Sequence, residues 1–145
     1  MLRRMDATTV TREIDLDTSV DALWQTISDP DHLGTWLGDA VDVDMRPGGT
    51  GTVVDDGIVR HLRVEEVSEP RHLSFTWWEP GSESTASRVV FAVGTNDDGG
   101  SRLTITETLP DQSPRIVARA SASKMRWEVR ALSLWACTMA AALVR

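Results

Sequence analysis

The sequence has little cysteine, no tyrosine and no long apolar run. Its one cysteine, Cys137, excludes an intrachain disulfide and a zinc site built from several cysteines. No segment reaches the ~18 consecutive apolar residues of a transmembrane helix. The N-terminal segment lacks the apolar core of a signal peptide. We therefore expect a cytoplasmic protein without a membrane-spanning segment.

Motifs for nucleotides, metals and hydrolytic chemistry are also missing. The sequence contains no G-x-S-x-G, no P-loop and no dinucleotide-binding fingerprint. Its histidines do not have the spacing of metal ligands. The net charge of -7 disfavours nonspecific binding to nucleic acid or to anionic lipid. We expect no cofactor, no metal, no nucleic-acid partner and no membrane partner.

The length and the charge distribution indicate one domain with a distinct C-terminal segment. A chain of 145 residues can bury about 70% of its unfolded surface around a single core. We treat residues 1–145 as one domain in which residues 1–9 form a flexible N-terminus. Residues 1–111 carry 21 acidic and 9 basic side chains, whereas residues 112–145 carry 1 and 6. The two parts should therefore attract each other.

Alternation of apolar and polar residues predicts seven strands. The first covers residues 11–16, and six more follow at 40–45, 50–55, 58–67, 71–78, 85–95 and 101–109. Turn-forming residues separate the later strands, as in Pro47-Gly48-Gly49 and Asp55-Asp56-Gly57. Residues 40–109 are therefore expected to form an antiparallel meander.

Helical spacing of apolar residues predicts two short helices and one long helix. Thr18 is expected to begin the first, which has one apolar face over residues 20–27. Asp29-Pro30 should begin the second, which carries Trp36 inward and ends near Gly38. Ser113-Pro114 opens the last element, which contains no further glycine or proline and is predicted as a long helix.

Two features of the long helix allow more than one interpretation. Four of its arginines fall within a stripe about 60° wide at the α-helical repeat, namely Arg115, Arg119, Arg126 and Arg130. We interpret this stripe as the solvated outer face of the helix, with an interaction site as the alternative. Residues 132–144 are almost entirely apolar, which indicates a homodimer formed through this helix. The alternative is that the alanines there only add helix propensity.

Several segments match a known family in the order in which that family has them. They are VDALWQTISDP (20–30), HLGTWLG (32–38), DMRPGG (44–49), VEEVSEPRHLSFTWW (64–78), SRVVFAV (87–93) and SRLTITET (101–108), followed by a helix containing Trp127. In these segments the chain resembles the START-like, or SRPBCC, helix-grip superfamily. Within it, the chain is most similar to the group related to the C-terminal domain of activator of Hsp90 ATPase. One departure is Arg126, which replaces a glycine that the family usually has before this tryptophan.

The resemblance implies an α+β, Bet v 1-like fold. A curved seven-stranded antiparallel sheet with two short helices grips the long C-terminal helix around an apolar cavity. The resemblance also implies binding of a lipid, a polyketide or another hydrophobic natural product. Some members cyclise polyketides, some confer resistance to natural products and some assist Hsp90. A cyclase or aromatase and a co-chaperone module are therefore the alternatives, because a fold does not by itself define a function.

Strand alternation supplies candidate residues for the ligand site. One face of the strands at 71–78, 87–93 and 101–108 should point into the cavity. Tryptophans add large apolar surfaces with a single donor, although each of them could instead be packed in the core. The expected cavity residues are Trp36, Phe75, Trp77, Phe91, Ile105, Glu107 and Trp127. We expect Trp24 and Trp135 in the ordinary core and Trp78 on the opposite face of the sheet.

Glu107 stands out because alternation places its carboxylate on an apolar face. There it could orient a ligand or act as a base. The alternative is that the strand frays at Thr106 and that Glu107 reaches solvent or pairs with an arginine. His61 should face outward, because Leu62 and Val64 face inward. An enzyme needs at least one positioned acid–base pair, so a single inward polar candidate favours a non-catalytic binder, and no catalytic residue is assigned.

Overall fold

The computed structural model describes residues 8–110 and 115–144, and it confirms the predicted order of elements. Within those ranges the elements are β1 (Thr8–Leu16), α1 (Val20–Ser28), α2 (Pro30–Leu33), β2 (Ala40–Val43), β3 (Thr50–Asp55), β4 (Ile58–Ser68), β5 (His72–Trp78), a 3₁₀ turn (Glu83–Thr85), β6 (Ser87–Thr95), β7 (Ser101–Leu109) and α3 (Ile116–Val144). Thr8 and Thr9 pair with β7 and do not belong to a flexible N-terminus. Residues 1–7 of that predicted segment and the Ser113-Pro114 helix start lie outside the described residues.

All the strands form one antiparallel sheet in the order β1-β7-β6-β5-β4-β3-β2. β2 to β7 are a meander, and β1 lies beside β7 at one edge. The β3–β4 hairpin turns through Asp56 and Gly57, whose φ values of 54° and 78° are those of a type I′ turn. A bulge between Val64 and Glu66 shifts the register of β4 against β5. Such a bulge bends the strand and increases the local twist, which favours a curved sheet.

One face of the sheet carries the core, as strand alternation predicts. Its central positions are buried, namely Leu73, Phe75, Trp77, Val89, Phe91, Val93, Leu103, Ile105 and Glu107. α1 adds Trp24 to this core, so its predicted place is confirmed. Trp78 lies on the other face, where the guanidinium of Arg63 stacks on its ring.

The two short helices begin at side-chain caps. Ser19 caps α1, because its Oγ accepts a hydrogen bond from the Ala22 N–H at 3.0 Å. The predicted start at Thr18 is therefore one residue early. Asp29 caps α2 as predicted, and its Oδ1 accepts from the Asp31 N–H at 2.9 Å. α2 ends at Leu33 and does not reach Gly38.

α3 has 29 residues and is about 44 Å long. It runs without a break past Ser123, and its buried side is formed by Ser123, Trp127, Ala131 and Leu134. These positions follow the helical repeat and face the sheet. The predicted long C-terminal helix is therefore confirmed.

The interpretation of the arginine stripe as the solvated outer face of α3 is wrong for Arg126 and Arg130. The side chains of Arg126 and Arg130 are only 16% and 13% exposed. Arg126 pairs with Glu107 at 2.9 Å, and Arg130 pairs with Asp55. Carboxylates on the sheet hold these arginines against it, because a half-buried guanidinium needs a counter-charge.

Apolar side chains occupy the solvent-facing side of α3 instead. Five of them are 49% to 76% exposed, namely Val117, Met125, Val129, Leu132 and Trp135. At the α-helical repeat they fall within an arc of about 120°, and we refer to them as the apolar stripe. Trp135 therefore lies at the surface, and its predicted place in the core is wrong.

The approach of β2 to β3 generates a stability prediction at Gly51. A β-carbon on Gly51 would overlap the backbone oxygen of Asp42 and the Cα of Val43. Gly51→Ala should therefore lower the free energy of unfolding by about 1–3 kcal/mol, the usual range for overpacking. Urea unfolding followed by circular dichroism measures this difference.

Gly94 provides the matched control, because it also lies in a strand and a β-carbon there meets no heavy atom within 4 Å. Gly94→Ala should leave stability unchanged or raise it, since the unfolded chain loses conformational entropy. Equal effects of the two substitutions would contradict the predicted overlap at Gly51.

Candidate ligand-binding site

The residues predicted to line a cavity come together, but most of them fill the interior with their own side chains. Trp36, Phe75, Phe91, Ile105 and Trp127 are each at most 1% exposed. Phe91 lies 5.6 Å from both Trp36 and Phe75 between ring centroids, and 6.1 Å from Trp127. These distances are typical of packed aromatic pairs. The aromatic cluster is therefore core packing, which was the alternative for each tryptophan.

Glu107 joins this cluster to α3 through one carboxylate oxygen. Oε1 accepts hydrogen bonds from Ser123 Oγ at 2.6 Å, Arg126 Nη1 at 2.9 Å and Trp127 Nε1 at 3.0 Å. The side chain is only 2% exposed, so its predicted inward direction is confirmed. The alternative, a strand that frays at Thr106, is wrong, because β7 continues to Leu109. The arginine partner that this alternative allowed is nevertheless present, and it is Arg126.

The other oxygen of Glu107 binds the sheet. Oε2 accepts from Trp77 Nε1 at 2.9 Å and from Ser87 Oγ at 2.5 Å. Trp77 belongs to β5, Ser87 to β6 and Glu107 to β7, while the three donors to Oε1 all belong to α3. One carboxylate therefore links three neighbouring strands to the C-terminal helix.

The surroundings of Glu107 keep it ionised. Burial acts to raise the pKa of Glu107, but the positive charge of Arg126 and the hydroxyl and indole donors outweigh it. The pKa therefore lies below the ordinary value of a glutamate. Two carboxylate oxygens offer about four acceptor positions, and five donors already use them. Glu107 is consequently a structural anchor, since no free lone pair remains for a general base.

A pocket of about 500 Å³ opens beside this network, between the first turns of α3 and strands β4 to β7. Its wall includes the apolar residues Ile58, Trp77 and Leu109, and it also touches Trp78, whose ring lies on the other face of the sheet. Sites for small molecules have volumes of roughly 300–1,000 Å³. Of the seven predicted cavity residues, Trp77 and Glu107 line this pocket, whereas the other five are not part of its wall.

Charged groups form the rest of the pocket wall. The cationic side chains outnumber the carboxylates, with Arg60, Arg115, Arg119 and Arg126 facing Glu79 and Glu107. Arg119 is held in place because its Nη2 donates to the Thr85 carbonyl at 3.1 Å. Since Glu107 is neutralised by Arg126, the pocket keeps an excess of positive charge.

Arg60 is the pocket residue that the sequence analysis missed. Its side chain comes from β4 and is 7% exposed, and its guanidinium stacks on the Trp77 ring with Cζ 5.1 Å from the centroid. Burial lowers the pKa of Arg60 below the ordinary arginine value, and the charge of Arg126 lowers it further. The same alternation that placed Leu62 and Val64 inward also places Arg60 inward, so the signal was present.

His61 faces away from this pocket, as predicted. It neighbours Arg60 on β4, so it points to the opposite face, where its ring lies 6.0 Å from that of Trp78. No three His, Cys, Asp or Glu side chains within 8–110 and 115–144 are grouped to hold a metal ion.

The family of the protein follows from a sequence comparison over most of the chain. The family model described as Activator of Hsp90 ATPase homolog 1-like protein matches residues 17–130. The chain belongs to this family. The resemblance found from the motifs is therefore confirmed. No curated protein matches the sequence.

Solved structures share the fold of this family member. The Mesorhizobium loti protein MLL2253 is 22% identical with a TM-score of 0.76, and the match covers 88% of this chain and 93% of that one. The Staphylococcus aureus protein SA2116 is 15% identical with a TM-score of 0.75, covering 97% and 99%. At such identities the likeness shows the fold alone, and it confirms the predicted α+β helix-grip architecture.

A further similar structure is that of DynU16, which is described as a protein in the dynemicin biosynthetic locus. It is 20% identical with a TM-score of 0.75, and the match covers 87% of this chain but only 45% of DynU16.

Among the residues that the structure describes, no helix has both the length and the apolar character needed to cross a membrane.

The buried network predicts a large stability loss for Glu107→Gln. An amide would leave Arg126 without its counter-charge and would turn one acceptor into a donor facing other donors. Breaking one partner of a buried ion pair costs about 3–5 kcal/mol. Urea unfolding at neutral pH measures the loss, and a difference below 1 kcal/mol would contradict the anchoring role.

Glu128→Gln is the matched control, because Glu128 pairs with Arg12 at the surface and its side chain is 61% exposed. An exposed pair contributes at most about 1 kcal/mol.

The pH dependence of the stability loss distinguishes Glu107 from Glu128. Because the folded-state pKa of Glu107 is depressed, its contribution is complete above the ordinary glutamate pKa and is lost as the pH falls through the lower folded value. The wild-type advantage over Glu107→Gln should therefore shrink in acid.

Proposed function

We propose that the protein binds a small organic molecule with a substantial apolar surface, without catalysing its conversion. The observation that carries this proposal is the pocket of about 500 Å³ between α3 and the sheet, with Trp77 in its wall. A concave site of this size that offers an aromatic ring together with polar groups able to orient a ligand suits a small molecule. The compartment that we propose is the cytoplasm.

The proposed site differs from the cavity expected from the sequence. It lies beside the first turns of α3, whereas the interior farther along is filled by Trp36, Phe75 and Phe91. A ligand would therefore contact the outer edge of the aromatic cluster through Trp77 and would not displace the core. Hydrophobic natural products, including polyketides, are the class that we propose, and the similarity to DynU16 supports it.

The two alternative functions have less support. A polyketide cyclase would need a free acid–base group in the pocket, and Glu107 is occupied by five donors. Glu79 also lines the pocket, but it is an exposed residue without a fixed acid–base partner among the described side chains. A co-chaperone role is suggested by the description of the family, and no surface feature of the described residues specifies Hsp90.

Filling the pocket should abolish ligand binding. Ala122 lines the pocket and is exposed, so Ala122→Trp would place an indole in the proposed site without disturbing the core. Native mass spectrometry of protein purified from its own source should show a bound small molecule on the wild type. The Ala122→Trp variant should lack most of this adduct.

Ala118→Trp is the matched control, since Ala118 is also exposed on α3 but is not part of the pocket wall. This variant should keep the adduct. A wild-type protein without any adduct, or an adduct retained by Ala122→Trp, would count against the proposed site.

We also propose that the protein forms a homodimer through the apolar stripe of α3. Five large apolar side chains exposed on one arc of a helix form a surface that a second copy of the helix can cover. Two members of the stripe, Leu132 and Trp135, form a groove with Ile14 of the edge strand β1. An isologous interface would place the same groove on both partners.

Leu132→Glu should therefore shift the protein from dimer to monomer, because two introduced carboxylates would face each other across the two-fold axis. Size-exclusion chromatography with light scattering measures the mass. Val59→Glu is the control, since Val59 is an exposed apolar residue of β4 away from α3. A wild-type protein that is monomeric at micromolar concentration would refute the dimer.

A further inference from the structure

Arg60 carries a buried positive charge that the protein leaves incompletely paired. Its side chain lines the pocket and is 7% exposed. Its Nη1 is fully buried and has no hydrogen-bond partner among the described residues. A buried donor without a partner costs about 1–3 kcal/mol, and more when the group is charged. The burial of this charged group without a full set of partners therefore requires a physical explanation.

The surroundings of Arg60 increase this cost. Arg126 carries a charge of the same sign, and its repulsion lowers the pKa of Arg60. Arg126 already donates to Glu107, so this carboxylate is engaged with the other arginine. Glu79, Asp55 and Glu107 attract Arg60 from a distance, but none of them forms an ion pair with it among the described contacts.

Stacking on Trp77 explains only part of the position of Arg60. The guanidinium lies over the indole with Cζ 5.1 Å from its centroid, while Arg126 lies 5.5 Å from the same ring. A cation–π contact contributes about 0.5–2 kcal/mol. It leaves the N–H groups at the edge of the guanidinium free to donate, because stacking uses only its faces.

We infer that the pocket recognises an organic anion, whose carboxylate or phosphate group binds Arg60 while its apolar part lies against Trp77. The inference rests on the proposed small-molecule function and names its ligand class. The edge of a guanidinium matches two oxygens of a carboxylate or a phosphate. An anion bound to the guanidinium would supply the counter-charge that Arg60 lacks and would offset the repulsion between Arg60 and Arg126. Arg119 also lines the wall and favours the same sign of charge.

Isothermal titration calorimetry with three naphthalene derivatives tests this inference. 2-Naphthoate carries a carboxylate, 2-naphthyl phosphate carries a phosphate and 2-naphthamide is a neutral match for the carboxylate. The wild type should bind at least one of the two anions about tenfold more tightly than the amide, because a hydrogen bond to a charged group is stronger than a neutral one. The ratio between the two anions identifies the preferred head group.

Arg60→Met removes the charge and keeps most of the length of the side chain. This variant should lose the preference for the anion and bind all three compounds with similar affinity. Because the charge that it removes lacks a full set of partners, the variant should unfold at a temperature no lower than the wild type. Arg63→Met is the matched control, since Arg63 lies on the same strand and stacks on Trp78 from the opposite face, with Glu83 as its ion-pair partner. This control should keep the anion preference.

The outcomes separate this inference from the proposed function. Equal binding of the anions and the amide by the wild type would overturn the anion inference and leave small-molecule binding intact. An anion preference that survives in Arg60→Met would also overturn it, because the recognition would then lie elsewhere. Failure of all three compounds to bind at millimolar concentration would count against both the inference and the proposed site.

Discussion

The structure depends on one buried carboxylate. Glu107 sits on an apolar face, and removing its charge from water costs several kcal/mol. Five donors offset that cost by binding both oxygens, and they come from β5, β6 and α3. The network therefore sets how the C-terminal helix is rotated and how deeply it sits against the sheet. Arg126, which stands where the family usually has glycine, supplies the positive charge of this network.

The rotation of α3 in turn shapes both candidate surfaces. Its central stripe, with Trp127, packs on the sheet. On either side of this central stripe lie the arginines and the apolar stripe, and only one of these two sides also faces the sheet. Glu107 and Asp55 hold the arginine flank inward, so the apolar stripe is left outside. One result is a pocket with an excess of positive charge at the first turns of the helix. The other is an exposed apolar surface farther along it, which suits a second copy of the chain.

Much of this arrangement could be predicted from alternation along the strands. Leu62, Trp77 and Glu107 were all assigned to the inner face, because side chains two residues apart point the same way. The same rule places Arg60 inward, but a charged residue on a strand suggests solvent, so its position was overlooked. The rotation of α3 was predicted wrongly for a different reason. The periodicity of α3 identifies one buried stripe. It does not decide whether the arginines or the apolar residues beside that stripe also face the sheet.

The sequence by itself determined the strands, the helices, the family and the inward direction of Glu107. Each of these follows from residues that lie close together in the chain or from the order of motifs along it. Only the tertiary structure decided that the aromatic side chains fill the interior, that the arginine flank of α3 faces the sheet and that the pocket forms around Arg60. These features depend on charges far apart in sequence, such as Glu107 with Arg126 and Asp55 with Arg130. Such pairs form only after the sheet and the helix have packed, so no local pattern records them.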